Sequence, residues 1–432
     1  MYGPPPDPRE IVAVVDDPML WVAAIVLGLL VSAVALVPQL PAWARAWAFC
    51  QGQVIALTAP LATVSTELVY GSWPTIDKTG SLLFYQQGVH RAVTLDPMGA
   101  ADNPMARLIG VHVGHLWLVE AFDVFVPTFA AFNLLGLTLP AFGWWAASLW
   151  VRRTSGSWVT AVLCGFPFGM GLHVFRDLNW YTIEKAAVGF LAVFAVLLWR
   201  AWEDGGRWRW LAAGAYALMA FMNWYLALVG AVAAALALLT DPRSKNLWAA
   251  CVASAVAALP LVALQFSLLQ GAQTVGDPET YLYGRAMLDN VGLFPPMWNR
   301  LEGWRALNVP LVLLGLWGFR TSRGRALALV AGVLLLLSLG PQLADGVWNP
   351  LYMGIRAVVP GFWRVAKPEV FFEGTYLCLL ASAGMALRRP LPRWLYVPLV
   401  VGWLLVVRSH PVYPAFTEYQ EWTLDPNWEN HL

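Results

Sequence analysis

The sequence predicts an all-α membrane protein, a single polytopic helical bundle of eleven or twelve transmembrane spans. Three observations carry this reading. Of 432 residues, 59% are hydrophobic and only 12% charged, against roughly 45–50% and about 25% in soluble domains. The apolar residues gather into runs long enough to cross a hydrocarbon core about 30 Å thick. The clustered arginines and lysines recur in short loops that alternate along the chain. Because a bundle grows by adding helices, the length needs no division into soluble domains: residues 1–408 read as one membrane domain and 409–432 as an external tail. A net charge of +1, without a basic run or an aromatic-basic platform, argues against a nucleic-acid partner.

The first apolar run, 21–37, follows Asp16, Asp17 and Pro18, where an N-cap and first turn belong. The residues before it carry Asp7, Glu10, Asp16 and Asp17 against Arg9 alone, so a basic n-region of a cleavable signal is missing and this helix is expected to be retained. The run 42–64 is interrupted by Arg45, Gln51, Gln53 and Pro60, which leaves two readings open, a span or an interfacial amphipathic helix. A polar loop, 70–107, follows and holds Asp77, Lys78, His90, Arg91, Asp96, Asp102 and Arg107. In 108–126 His112, His115, Glu120 and Asp123 make a span expensive, so an interfacial helix on the side of that loop fits better. Further apolar runs come at 131–151, 158–172, 183–199, 210–222, 224–239, 247–268, 309–319, 326–339, 371–387 and 394–407. The stretch 210–239 exceeds one ordinary span and reads as two short helices hinged near Asn223.

Orientation follows from the basic residues. Arg152 and Arg153; Arg200, Arg207 and Arg209; Arg243 and Lys245; Arg320, Arg323 and Arg325; and Arg388, Arg389 and Arg393 fall on one face when the hinged pair counts as two spans. The positive-inside rule makes that face the cytoplasm. The loops 65–130, 173–182, 269–308 and 340–370 then lie outside. The twenty-five tryptophans gather near run ends, as amphipathic indoles do at bilayer interfaces. Neither paired broken helices nor charges near span centres mark an ion path. Cys50, Cys164, Cys251 and Cys378 are widely spaced in apolar runs and read as small core residues.

Several stretches, in order, resemble the GT-C superfamily of integral-membrane glycosyltransferases, especially its bacterial YfhO-like branch. They are GSWPTID ending at Asp77, LDPMG at 95–99, AFNLLGL from Ala131, VRRTSGSWVTAVLCGF from Val151, SLGP at 338–341 and VVPGFWRVAKPEVFF at 358–372. The resemblance covers most of 65–390 and lies in the order and spacing of these motifs. It implies a bundle with one or two interfacial helices in the first external loop, and transfer of a sugar from a polyprenyl-phosphate donor to an extracytoplasmic acceptor of the cell envelope. The setting would be a bacterial cytoplasmic membrane, with membrane lipids and envelope-complex proteins as further partners. The acidic base usual in that loop carries over to Asp77. Two departures keep a non-catalytic subunit in view as the alternative. Lys78 follows Asp77 where many members have a second acid, and Arg364, Lys367, Pro368 and Glu369 stand where the branch often has Arg-x-Pro-x-Arg. A lipid or glycan transporter is the third reading, which the apolar spans oppose.

The residues allow a chemical reading beside the resemblance. Sugar transfer to a hydroxyl needs a carboxylate to take the acceptor proton, which Asp77 could do, with Glu67, Asp96 and Asp102 as understudies. The plainer role for Asp77 is a loop cap or ion pair. Arg356, Arg364 and Lys367 share one external loop at headgroup depth, where they suit a lipid phosphate; ordinary snorkelling is their plainer fate. His112 and His115, with Glu120 and Asp123, could chelate a divalent ion, but the spacing is not a dedicated metal signature and no cofactor is expected. Arg176 and Lys185 beside Asp177 and Glu184 read as loop-seating ion pairs. Arg285, Asp289, Arg300, Glu302 and Arg305, with Tyr281, Tyr283, Trp298 and Trp304, could line an acceptor groove, or simply fold the loop onto the bundle.

Overall fold

Apolar segments satisfy their own backbone amides and carbonyls most simply as helices, and these segments do so. The computed structural model describes residues 18–62, 114, 118, 121–122, 124–125, 128–171, 187–271, 309–344, 347–359, 362, 365, 368–388 and 397. Helix α1 is Pro18–Ala33, extended by a 3-10 turn at Val34–Leu36, and α2 is Ala42–Ala62. There follow α3 (Thr128–Ser155), α4 (Trp158–Gly169), α5 (Gly189–Asp204), α6 (Arg207–Met222), α7 (Trp224–Thr240), α8 (Lys245–Gly271), α9 (Val309–Gly318) and α10 (Ser322–Ser338). A two-stranded hairpin, β1 (Gln342–Ala344) and β2 (Val347–Trp348), leads to α11 (Pro350–Val358) and α12 (Phe371–Ala386). The described residues therefore form a mostly helical bundle. Two stretches, Leu134–Ser155 in α3 and Lys245–Ala263 in α8, are long and apolar enough to cross a membrane.

Helix ends sit close to the run ends, with one clear shift: α5 begins at Gly189 and reaches Asp204, one and a half turns later than its apolar run at 183–199. Its last turn holds Trp202, Glu203 and Asp204, whose interactions with neighbouring elements outweigh their hydropathy. The hinge at Asn223 is present. This residue leaves the helix at φ −160°, and its side chain accepts from the amides of Tyr225 and Leu226, which starts α7 directly after α6 ends. Asn223 is buried, and its side chain supplies the acceptor that the first amides of α7 need. The run 394–407 lies outside the described residues except for Val397.

The polar residues of 42–64 bond to neighbouring helices. Gln53 donates to the Ser32 hydroxyl (3.1 Å), Arg45 to the Ala35 carbonyl (2.7 Å) and Gln51 to the Leu137 carbonyl (3.3 Å). They bind α1 and α3, so α2 is an integral helix of the bundle. Of the expected interfacial helix at 108–126, Gly114, Leu118, Ala121 and Phe122 are helical, and Gly114 abuts Phe221 and Met222 at the α6–α7 turn.

Small residues set the helix spacing. Gly28 of α1 faces Gly52 and Ala56 of α2; Gly165 of α4 sits on Ser148 and the backbone of Trp144; Gly318 of α9 sits on Ser382 of α12. Close backbone approach of this kind is how apolar helices gain packing when burial of apolar surface alone cannot select a partner. Ser382 also donates to the Gly315 carbonyl at 2.7 Å. Buried indoles find acceptors: Trp144 donates to Val162 (2.7 Å) and Trp150 to Leu377 (2.9 Å). The cysteines form no disulfide, and Cys50, Cys164 and Cys378 are buried in this core.

The basic loops meet at one end. Glu203, ending α5, receives Arg153 Nη2 from the end of α3 at 2.5 Å and Arg323 from the start of α10. Arg388, after α12, donates to the Thr154 carbonyl of α3 at 2.9 Å. Trp202 of α5 donates to Asp241 at 2.9 Å, which brings in the α7–α8 turn carrying Arg243 and Lys245. Contacts thus join the helix ends and turns that carry the five basic clusters, through Arg153, Arg323 and Arg388 and through Glu203, Trp202 and Asp241.

Candidate functional site

At the opposite end the connection between α10 and α12 folds into a small structure of its own. Gly340 turns the chain at φ +76°, a backbone state suited to glycine, and the β1–β2 hairpin follows, with Gln342 opposite Trp348. Asn349 organises what comes next. It is buried; its amide donates to the carbonyls of Leu336 (2.7 Å) and Gly340 (2.9 Å), and its own carbonyl accepts from the Tyr352 amide (3.3 Å). One side chain therefore ties the end of α10 to the start of α11, where Pro350 takes the first position, suited to a residue lacking an N–H.

Beneath α11 lies an aromatic pack. The Tyr352 hydroxyl donates to the Val365 carbonyl at 3.2 Å, its ring meets Phe362 edge-on at 5.1 Å, and Phe362 stacks on Phe371 at 6.0 Å. Phe362, Val365 and Phe371 are all buried. Arg356 stands half-buried in the last turn of α11, where the helix dipole favours a cation. Val347, Trp348, Val358 and Val359 remain exposed on the same small structure.

Of the four site residues expected from sequence, Arg356 is the one the structure places. Asp77, Arg364 and Lys367 lie outside the described residues, so the expected meeting of Asp77 with the two cations does too. The same holds for Glu67, Asp96, Asp102, His112, His115, Glu120, Asp123 and the charged residues of 176–185 and 285–305. Among the described residues no group of three or more His, Cys, Asp or Glu is placed to hold a metal ion.

Glu373 is a buried carboxylate that the sequence reading passed over. It is 3% exposed, the one charged side chain buried among the described residues, and it stands in the first turn of α12, where the dipole favours an anion. Tyr376, one turn on and also buried, shares its helix face and packs against Phe168 and Phe372. The signal was available: an acid inside the apolar run 371–387, preceded by two phenylalanines. No family model and no curated protein matches the chain.

Proposed function

We propose that the chain is a multi-pass protein of a bacterial cytoplasmic membrane and acts there as a GT-C-like glycosyltransferase. One observation supports the membrane setting above others: the bundle is apolar outside as well as inside. Trp248, Val252, Val256 and Leu259 form an outward stripe along α8, and Val22, Val26, Leu29 and Leu30 another along α1. In water such faces would be a large exposed patch; in a bilayer they are the lipid-facing surface. The exposed Trp348 and Val358 beside half-buried Arg356 suit the headgroup layer.

Transferase activity is supported by the ordered motifs and by the folded outer loop, which carries half-buried Arg356 at the end of α11. In this reading Asp77 takes the acceptor proton, and Arg356, Arg364 and Lys367 hold the donor phosphate. The test is transfer from a polyprenyl-phosphate sugar by the purified chain in proteoliposomes. Asp77→Asn is expected to cut turnover by about 10²–10⁴-fold with expression unchanged, while Arg364→Ala mainly raises the donor KM. Full activity of Asp77→Asn overturns the catalytic assignment. A second reading, a non-catalytic membrane subunit, is favoured by the aromatic pack of Tyr352, Phe362 and Phe371, which fills the space under α11. It predicts no transfer by the wild-type chain and a loss of complex assembly when Val358 is replaced by Asp.

A further inference from the structure

Trp208, the second residue of α6, carries two cations. The guanidinium of Arg200, from α5, lies 4.3 Å from its ring centre and that of Arg207 lies 5.1 Å from it. One guanidinium on an indole is a favourable contact. Sharing one ring, however, keeps the two positive charges within about 10 Å of each other, a distance at which 0.1 M salt still leaves them in each other's field. An anion held by both relieves that repulsion, and the neighbouring carboxylates are engaged elsewhere. Glu203 binds Arg153 and Arg323, Asp204 is 3.7 Å from Arg153, and Asp241 accepts from Trp202. Among the described residues no carboxylate is within ion-pair distance of Arg200 or Arg207.

The turn beside this pair is open. Gly205 and Gly206, at φ +64° and +57°, link α5 to α6, and nothing lies within 4 Å of the place that a Cβ on Gly206 would take. Gly205 abuts the side chain of Asn246, which brings the start of α8 and its exposed Lys245 against the same turn. From there α6 and α8 run side by side, packed on each other. Just past the charges each turns apolar side chains outward: Trp210 is 64% exposed and Leu211 47% on α6, and Trp248 is 49% exposed and Val252 55% on α8. A soluble phosphate would have no use for this apolar margin. A phospholipid would, because its phosphate can meet the cations while its acyl chains meet Trp210 and Leu211. A choline headgroup would bring a further cation to the pair, so the complement is a headgroup of net negative charge.

We infer that the α5–α6 turn is a headgroup site for an anionic phospholipid of the leaflet at the basic end, with the lipid phosphate held by Arg200, Arg207 and Lys245. This rests on the membrane setting proposed above and is independent of the transferase reading. In the test the full chain, in a neutral detergent, is titrated with phosphatidylglycerol or phosphatidylcholine, and bound lipid is counted by native mass spectrometry. Phosphatidylglycerol is expected to bind the more tightly. Arg207→Gln should weaken it about fivefold, and Arg200→Gln combined with Arg207→Gln about thirtyfold, with phosphatidylcholine binding unchanged. Arg320→Gln combined with Arg325→Gln removes the same charge from another turn at that end and should leave phosphatidylglycerol binding unchanged. Arg207 is exposed, so its replacement spares the fold; if the double variant does not fold, Arg207→Glu serves, with a larger loss than Arg207→Gln. Equal binding of the two lipids, or equal losses in the two double variants, overturns the site. Displacement of the lipid by an equal concentration of inorganic phosphate would mark a site for soluble phosphate and overturn the lipid assignment. If the chain is monodisperse without detergent, the membrane setting fails first and the inference with it.

Discussion

Replacing Asn349 by leucine tests whether one buried amide holds the outer loop in place. The side chain makes three hydrogen bonds, two donated to the carbonyls of Leu336 and Gly340 and one accepted from the Tyr352 amide. Leucine is similar in size and adds no cavity, so the loss is polar. At a net value of about 1 kcal/mol each the three bonds are worth about 3 kcal/mol. The carbonyls have little water to turn to, because the site is 1% exposed, which makes this figure a lower bound. Two of the bonds join α10 to the turn and the start of α11, so the cost should fall on opening of 340–359 more than on global unfolding. At about 1.4 kcal/mol per tenfold change, amide hydrogen exchange across 352–359 is expected to quicken about a hundredfold, with α5, α7 and α12 unaffected. Exchange in 352–359 that stays at the wild-type rate would refute the role given to Asn349. A uniform rise across the bundle would show instead that the loop is inseparable from the core.

Gly318→Leu should sharply reduce the yield of monodisperse protein in detergent, because its Cβ would meet the Ser382 carbonyl and hydroxyl; overpacking of this kind costs about 1–3 kcal/mol or more. Ser382→Ala, which removes only the bond to Gly315, should cost about 1 kcal/mol by thermal melting. Glu203→Gln leaves Arg153 and Arg323 facing a neutral amide; for a clamp with its carboxylate 16% exposed, the expected loss is about 1–2 kcal/mol after discounting for solvent. That loss should shrink in high salt, and double-mutant cycles with Arg323→Gln should give a non-zero coupling. In intact cells a membrane-impermeant thiol reagent should label Val358→Cys and reach Arg153→Cys only after permeabilisation, once the four native cysteines are removed; labelling of Arg153→Cys from outside would reverse the orientation.

The helices were legible in the sequence because apolar run length and helix formation respond to the same cause, the need to satisfy backbone groups away from water. Hence Trp224 begins α7 where the run begins, and Asn223 marks the break. The polar interruptions of 42–64 were harder to weigh, since hydropathy cannot distinguish Gln53 facing water from Gln53 bonded to Ser32. The hairpin and α11 were not foreseen at all. Their order comes from Asn349, Tyr352 and Phe362 contacting residues ten to thirteen positions away, which no short-range period reports. Glu373 was visible as an acid among apolar residues, but its burial depends on how α12 packs, and that is a tertiary fact. Of the sequence-chosen site, only Arg356 lies among the described residues, half-buried at the end of α11.

The two ends of the bundle solve one problem with different chemistry, and loop length decides which. At the basic end the connections 156–157, 205–206, 241–244 and 319–321 are two to four residues long. Such loops cannot fold over the helix termini, so the termini are closed by side chains. Arg152 lies over Trp158, Arg200 over Trp208 and Arg320 over Trp317, at 4.3–5.9 Å from the ring centres, a geometry of favourable cation–π contact. The tryptophans near these run ends therefore have partners in their own loops, and their position follows from more than a preference for the bilayer interface. Glu203 fits the same logic. A carboxylate at the C-terminus of α5 opposes the helix dipole, and the convergence of Arg153 and Arg323 on it offsets that cost while joining three loops. At the other end the connection 339–370 buries Phe362 and Val365, and among the described residues neutral amides and aromatic rings hold it together.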